Sequence, residues 1–202
     1  MNDRRPYARL IRALPLAAMI ALAGCGGGGT VSEPPLAGAK IGGPFALTDQ
    51  DGKTVRDSDF AGRYRLIYFG YSFCPDVCPV DLQNIAKAYS LFEKENPQAA
   101  AKLQPIFITV DPARDTPAVL KDYVAAFHPR LIGLTGSEAQ IAAVAKEYAI
   151  FYRKAGAAGA ADYLVDHARQ ATLFGPEGEP MALLPQEESP EAIVAVLKQW
   201  VR

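Results

Sequence analysis

The order of patterns along this 202-residue chain predicts an α/β fold, a mixed central sheet flanked by helices. Three observations carry the prediction. Two continuous apolar runs, 65–73 (RLIYFGYSF) and 103–110 (LQPIFITV), have the length and composition of strands buried on both faces. A stretch of helical character follows each of them. Near the carboxyl end, a glycine- and proline-rich turn between two apolar segments marks an antiparallel return, which makes the sheet mixed.

The elements follow in order. Residues 45–55 (FALTDQDGKTV) hold Asp51-Gly52 between apolar segments, the sign of an N-terminal β-hairpin. The strand 65–73 stops at Cys74-Pro75-Asp76-Val77-Cys78-Pro79. Leu82, Ile85, Ala86, Leu91 and Phe92 then fall near helical spacing and predict an amphipathic helix over 80–95. After the second strand, Thr116-Pro117 opens a helix that runs to Phe127, with proline in the favourable first position. A short apolar segment, 131–134, precedes a helix from Ser137 to Tyr148, where Ser137 and Gln140 have capping-box spacing. Residues 154–162 (KAGAAGAAD) read as a loop and 163–174 as one strand. Gly175-Pro176-Glu177-Gly178 is its turn, 181–184 its return, and Ser189-Pro190 starts a last helix that ends at Trp200. A single domain over 43–202 accounts for all of this, without internal repeats.

The amino terminus is built differently. Arg4, Arg5, Arg9 and Arg12 precede the apolar run 14–23 (LPLAAMIALA), which is too short to span a bilayer and reads as an export signal. It closes on Leu22-Ala23-Gly24-Cys25, which resembles the lipobox of bacterial lipoproteins, where the cysteine is lipidated and becomes the mature terminus. The expected division is a signal peptide at 1–24, a tether at 25–42 and the domain beyond. Lipid on Cys25 would anchor the protein to a membrane, with the domain facing the periplasm or the cell exterior. The tether is rich in glycine and proline and would reach roughly 25 Å.

Charge excludes one class of partner. Lysine plus arginine total 21 against 22 acidic residues, and removal of 1–24 takes four basic residues and one acid, leaving 17 against 21, a net −4. Neutralising phosphates requires the opposite balance, so nucleic acid is not an expected partner.

Soft chemistry is confined to five side chains: Cys25, Cys74, Cys78, His128 and His167. Cys74 and Cys78 sit at a strand-to-helix junction, where open α/β sheets place their ligand sites. Backbone N–H groups and the positive helix end there favour thiolates, the reactive and metal-binding forms. Three intervening residues leave room for an ion as well as for a disulfide, and a structural disulfide is a further reading. His167, in the later strand, reads either as a hydrogen-bonded structural residue or as the third member of a two-thiolate, one-imidazole set suited to copper, whereas a closed zinc site needs a fourth ligand. His128 follows a helix end and reads as structural.

With these residues in place the chain resembles the Sco/SenC family of copper-binding, thioredoxin-like proteins associated with cytochrome c oxidase assembly. The resemblance runs through Gly43-Pro44-Phe45, Leu47 and Asp51-Gly52, then Tyr68-Phe69-Gly70-Tyr71-Ser72-Phe73 into the Cys74–Pro79 block. It continues in Thr109-Val110-Asp111-Pro112, Arg114-Asp115-Thr116-Pro117, Gly133-Leu134-Thr135-Gly136 and Tyr163-Leu164-Val165-Asp166-His167. It implies a thioredoxin-like fold and copper ligation by Cys74, Cys78 and His167. It also implies delivery of copper to, or reduction of the thiols of, the binuclear copper centre in oxidase subunit two or another cuproprotein. Residues 111–117 resemble the family's acidic, proline-marked loop, read here first as a strand exit and helix cap and second as a docking segment. Ala168-Arg169 stands where the family often has small hydroxyl residues, which leaves the hydrogen bonding around His167 to be found. The competing function is a thiol-disulfide reductase working through a Cys74/Cys78 dithiol. A peroxidase lacks the supporting threonine and arginine.

Overall fold

The computed structural model describes residues 33–156 and 163–202. The expected signal peptide, Cys25, the tether as far as residue 32 and most of the expected loop at 154–162 lie outside the described residues.

The sheet is seven-stranded and mixed. Strands β1 (Ala46–Asp49) and β2 (Thr54–Arg56) form the expected hairpin at one edge, closed by a turn in which Gly52 takes φ +78°. The centre consists of β3 (Tyr64–Gly70), β4 (Leu103–Thr109) and β5 (Ile132–Thr135), which are parallel to one another, and β8 (Ala171–Phe174) and β9 (Pro180–Leu184) complete the other edge. The order is β2-β1-β5-β4-β3-β8-β9, with β1 antiparallel to β5 and β8 antiparallel to both β3 and β9. Every residue of β3 and β4 is buried, the polar Arg65, Gln104 and Thr109 along with the apolar majority.

Successive residues of β3 face opposite layers. Tyr68 points to α1 (Val77–Glu95), where its hydroxyl donates to Asp81, and Phe69 packs on Tyr148 at the end of α4 (Glu138–Glu147), with ring centroids 5.7 Å apart. Helix α3 (Pro117–Ala125) covers β5, where Val124 and Leu120 lie close enough to Gly133 that no larger residue fits without displacement. α5 (Pro190–Trp200) packs against α1, and the short α2 (Pro97–Ala101) joins α1 to β4. The capping box read at Ser137 and Gln140 is formed in both directions.

Three expectations are corrected. First, residues 163–174 are not one strand. The chain forms β7 (Leu164–His167), leaves the ladder at 168–170, and only then enters the main sheet as β8. β7 pairs instead with β6 (Tyr152–Ala155) in a separate two-stranded sheet, and β6 carries no strand signal because its four residues, YRKA, centre on two exposed charges. Second, α1 begins at Val77 rather than Val80. The first turn of a helix has no internal use for its N–H groups, so Pro79 is accommodated there and Cys78 becomes helical. Third, residues 33–42 are not a free tether. Leu36 N–H donates to the Met181 carbonyl at 2.9 Å and Gly42 N–H to the Glu147 carbonyl at 2.8 Å, so this stretch is hydrogen-bonded to the domain.

Candidate metal centre

Two chain segments converge at the carboxyl end of β3. The first is the turn into α1. Cys74 is 9% exposed, Cys78 is fully buried, both are free thiols, and the Cys78 N–H donates to Cys74 Sγ at 3.5 Å. Cys78 fits because Gly70, the last residue of β3, has no side chain. A Cβ there would lie 3.0 Å from Cys78 Sγ and 3.0 Å from Phe107. The second segment is β7, which ends on His167. Its Nε2 lies 3.1 Å from Cys78 Sγ, and the ligand atoms of Cys74, Cys78 and His167 all fall within 4.8 Å of one another. Sequence positions 89 residues apart meet as expected. Among the described residues no other group of three such side chains comes together.

The imidazole is oriented by the backbone. His167 Nδ1 is 2.9 Å from the Ala168 carbonyl. A carbonyl only accepts, so Nδ1 carries the proton and the Nε2 lone pair faces the thiols. The expected gap in hydrogen bonding around His167 is therefore filled by main chain, not by a hydroxyl side chain. The rings of Tyr71 and Tyr68 stand edge-on to the imidazole at 5.9 and 6.5 Å and wall the site.

Burial sets the protonation states. It lowers His167 from its ordinary value, so the ring is neutral at pH 7 and able to ligate. Burial also pushes the Cys78 thiol well up, against the expectation that the helix terminus would favour the thiolate. Desolvation in this closed first turn outweighs the helix dipole, whose effect is modest. Cys78 thus stands as a neutral thiol beside a neutral imidazole, and an arriving cation must displace its proton.

Around this set lie residues that sequence reading undervalued. Asp81 is fully buried, accepts from the Tyr68 hydroxyl at 2.9 Å and is gripped by Arg169 through Nε at 3.1 Å and Nη2 at 2.7 Å. Asp111 is buried as well. It accepts from the Tyr163 hydroxyl at 2.6 Å and from Arg114 Nε, while the Arg114 guanidinium stacks 3.8 Å over the Tyr163 ring and 4.9 Å over Phe73. Asp115 accepts from Ser72 N–H at 3.0 Å and from Thr109 Oγ1 at 2.6 Å, which ties the thiol-bearing turn to the segment after β4. Thr116 caps α3, so residues 111–117 do serve as strand exit and helix cap, with Asp111 also holding the residue before β7. His128 stands apart, its Nδ1 accepting from the Arg130 N–H at 3.1 Å and its ring edge-on to Tyr89 at 4.9 Å.

A mixed sheet with helices on both faces and a dithiol at the start of the helix after a central strand defines a thioredoxin-like protein, here with an imidazole added to the thiols. The same fold is found in the thioredoxin domain of a Bacteroides vulgatus thiol-disulfide oxidoreductase, at TM-score 0.57 and 17% identity over 80% of this chain and 96% of that one. The chain belongs to the SCO1/SenC family, whose profile matches residues 33–202. It is 45% identical over 148 residues to the mitochondrial SCO1 homolog 1 of Arabidopsis thaliana, covering 73% of this chain but only 43% of that protein. The copper-bound structure of Bradyrhizobium japonicum ScoI is similar at TM-score 0.71 and 41% identity, over 79% of this chain and 99% of that one. BsSco, described as a Sco-family cytochrome c oxidase assembly protein with a disulfide switch, is similar at TM-score 0.63 and 25% identity, over 83% of this chain and 95% of that one.

Proposed function

We propose that this protein is a copper chaperone: Cys74, Cys78 and His167 hold one copper ion and pass it by ligand exchange to the binuclear centre of cytochrome c oxidase subunit two or to another cuproprotein. The observation that carries the reading is the approach of His167 Nε2 to Cys78 Sγ, 3.1 Å, beside a second free thiol. Two thiolates and an imidazole form a soft, three-coordinate set, and a low coordination number leaves a position open for an incoming ligand from a partner. The copper-bound Bradyrhizobium relative and the assembly role given for BsSco support copper as cargo and the oxidase as its destination. Export and lipid attachment at Cys25 would place this transfer at a membrane surface outside the cytoplasm.

A second reading, thiol-disulfide reduction through Cys74 and Cys78, is favoured by the closeness of the two free thiols and by the disulfide switch of BsSco. Copper titration of the reduced protein separates the two. Wild type should bind one ion tightly, and Cys74→Ser, Cys78→Ser and His167→Ala should each lose that site. Unchanged affinity in His167→Ala, together with strong copper-free dithiol turnover by the same variant, would establish the reductase instead.

A further inference from the structure

We infer that Arg169 is a positioning residue for the metal site: its ion pair with Asp81 fixes the Ala168–Arg169 peptide and thereby the tautomer and aim of His167. The inference rests on the ligand set proposed above. Asp81 is three residues after Cys78 on α1, and Arg169 is two residues after His167, so the pair joins the two segments that supply the ligands. Both Arg169 contacts are charge-assisted and fall on different oxygens of one carboxylate, a two-point clamp that a single hydrogen bond cannot reproduce. Asp81 has no exposed surface and Tyr68 donates to the same carboxylate, so the clamp is anchored in the core.

The link to His167 is the peptide plane. The carbonyl that accepts from Nδ1 belongs to Ala168, and its direction is set by the peptide that leads into Arg169. On one side, the Ala168 N–H is held by the Phe151 carbonyl at 2.9 Å. On the other, Arg169 is held by Asp81 through its side chain and by Gln186 Nε2 through its own carbonyl, while Asn84 of α1 donates to the Gln186 carbonyl at 2.9 Å. The residues at 168–170 have left the sheet ladder, so these contacts, not strand pairing, determine where the carbonyl points. Releasing Arg169 frees that carbonyl to turn, and the Nδ1–H tautomer loses its fixed acceptor.

The test uses Arg169→Met, Arg169→Lys and His167→Ala in the reduced protein. In wild type without metal, the imidazole 15N shifts of His167 should show one tautomer, protonated at Nδ1. In Arg169→Met they should move toward averaging, and copper affinity should fall about tenfold or more, the usual size of an outer-shell loss. Arg169→Lys keeps the charge next to Asp81 but not the fork, and should give a smaller change in the same direction, which holds the test open if Arg169→Met does not fold. Unshifted 15N resonances and affinity within twofold of wild type in the folded Arg169 variants would overturn the inference while leaving the ligand assignment standing. Unchanged copper affinity in His167→Ala would instead remove the assignment on which it rests.

Discussion

At the scale of single residues, the two histidines of the domain, His128 buried and His167 half-buried, perform different tasks because of what their Nδ1 atoms meet. His167 Nδ1 faces a carbonyl and donates, which turns Nε2 to the thiols, whereas His128 Nδ1 faces an N–H and accepts. Burial lowers His128 from its ordinary value, so the folded chain takes up this proton less readily than the unfolded chain. Its contribution to stability is therefore complete above the unfolded value of about 6.5 and is lost as pH falls through the lowered folded value. His128→Asn keeps an acceptor for Arg130 without the proton, so urea unfolding between pH 5 and 7 should be less pH-dependent in this variant than in wild type. For Cys78 the direction is reversed. Its raised thiol must lose a proton to bind a metal, so apparent copper affinity should rise with pH by about tenfold per unit for this group, as competition titrations between pH 6 and 8 will show. Gly70→Ala would place a Cβ 3.0 Å from Cys78 Sγ and 3.0 Å from Phe107. Overpacking of this kind costs about 1–3 kcal/mol, and because the thiol is one of the atoms displaced, copper binding should weaken along with the melting temperature.

At the scale of elements, local signals were legible and long-range ones were not. The capping box at Ser137 and Gln140, the Asp51-Gly52 turn and the prolines opening α3 and α5 are chemistry within four residues, and each stands as read. Ser137→Ala should accordingly lower stability by about 1 kcal/mol in denaturant titrations and leave copper binding untouched. The thiol turn and His167 could be picked out because few soft ligands exist in the chain. What the sequence concealed depends on contacts between distant positions. Little in YRKA announces a strand, because β6 is held by pairing with β7, by Tyr152 against the core and by exposed pairs such as Arg153–Asp166 and Lys154–Glu138. Likewise, apolar residues at both ends of 163–174 read as one strand, yet the chain leaves the ladder at 168–170, where Arg169 meets the Asp81 carboxylate, 88 residues earlier. The division is what leaves His167 at the end of a small hairpin over the thiols rather than inside the main sheet.

At the scale of the whole molecule, the proposed function would give one fold three states: the dithiol seen here, a disulfide and a copper-bound form. The seven-stranded sheet supplies a rigid floor, with every residue of β3 and β4 buried, and the candidate ligands lie at its end on the turn into α1, on α1 itself and on β7. Copper and a Cys74–Cys78 disulfide exclude each other, since oxidation consumes both sulfurs that would ligate the ion. An ion held by the proposed ligand set would bridge the turn into α1 to β7 and stabilise the folded chain by mass action, about 2.7 kcal/mol at a free concentration one hundred times Kd if the unfolded chain binds none. A Cys74–Cys78 disulfide would enclose only three intervening residues, too short a loop to add much chain-entropy stabilisation. Thermal unfolding of the reduced protein should therefore shift upward by several degrees when cuprous ion is added. The oxidised protein should not respond, and His167→Ala, left with weaker binding by the two thiolates alone, should keep only a small part of the shift, since nothing then ties the thiol turn to β7. An equal copper response in the reduced and oxidised proteins would place the ion elsewhere on the molecule. An equal response in wild type and His167→Ala would mean that β7 takes no part in holding it.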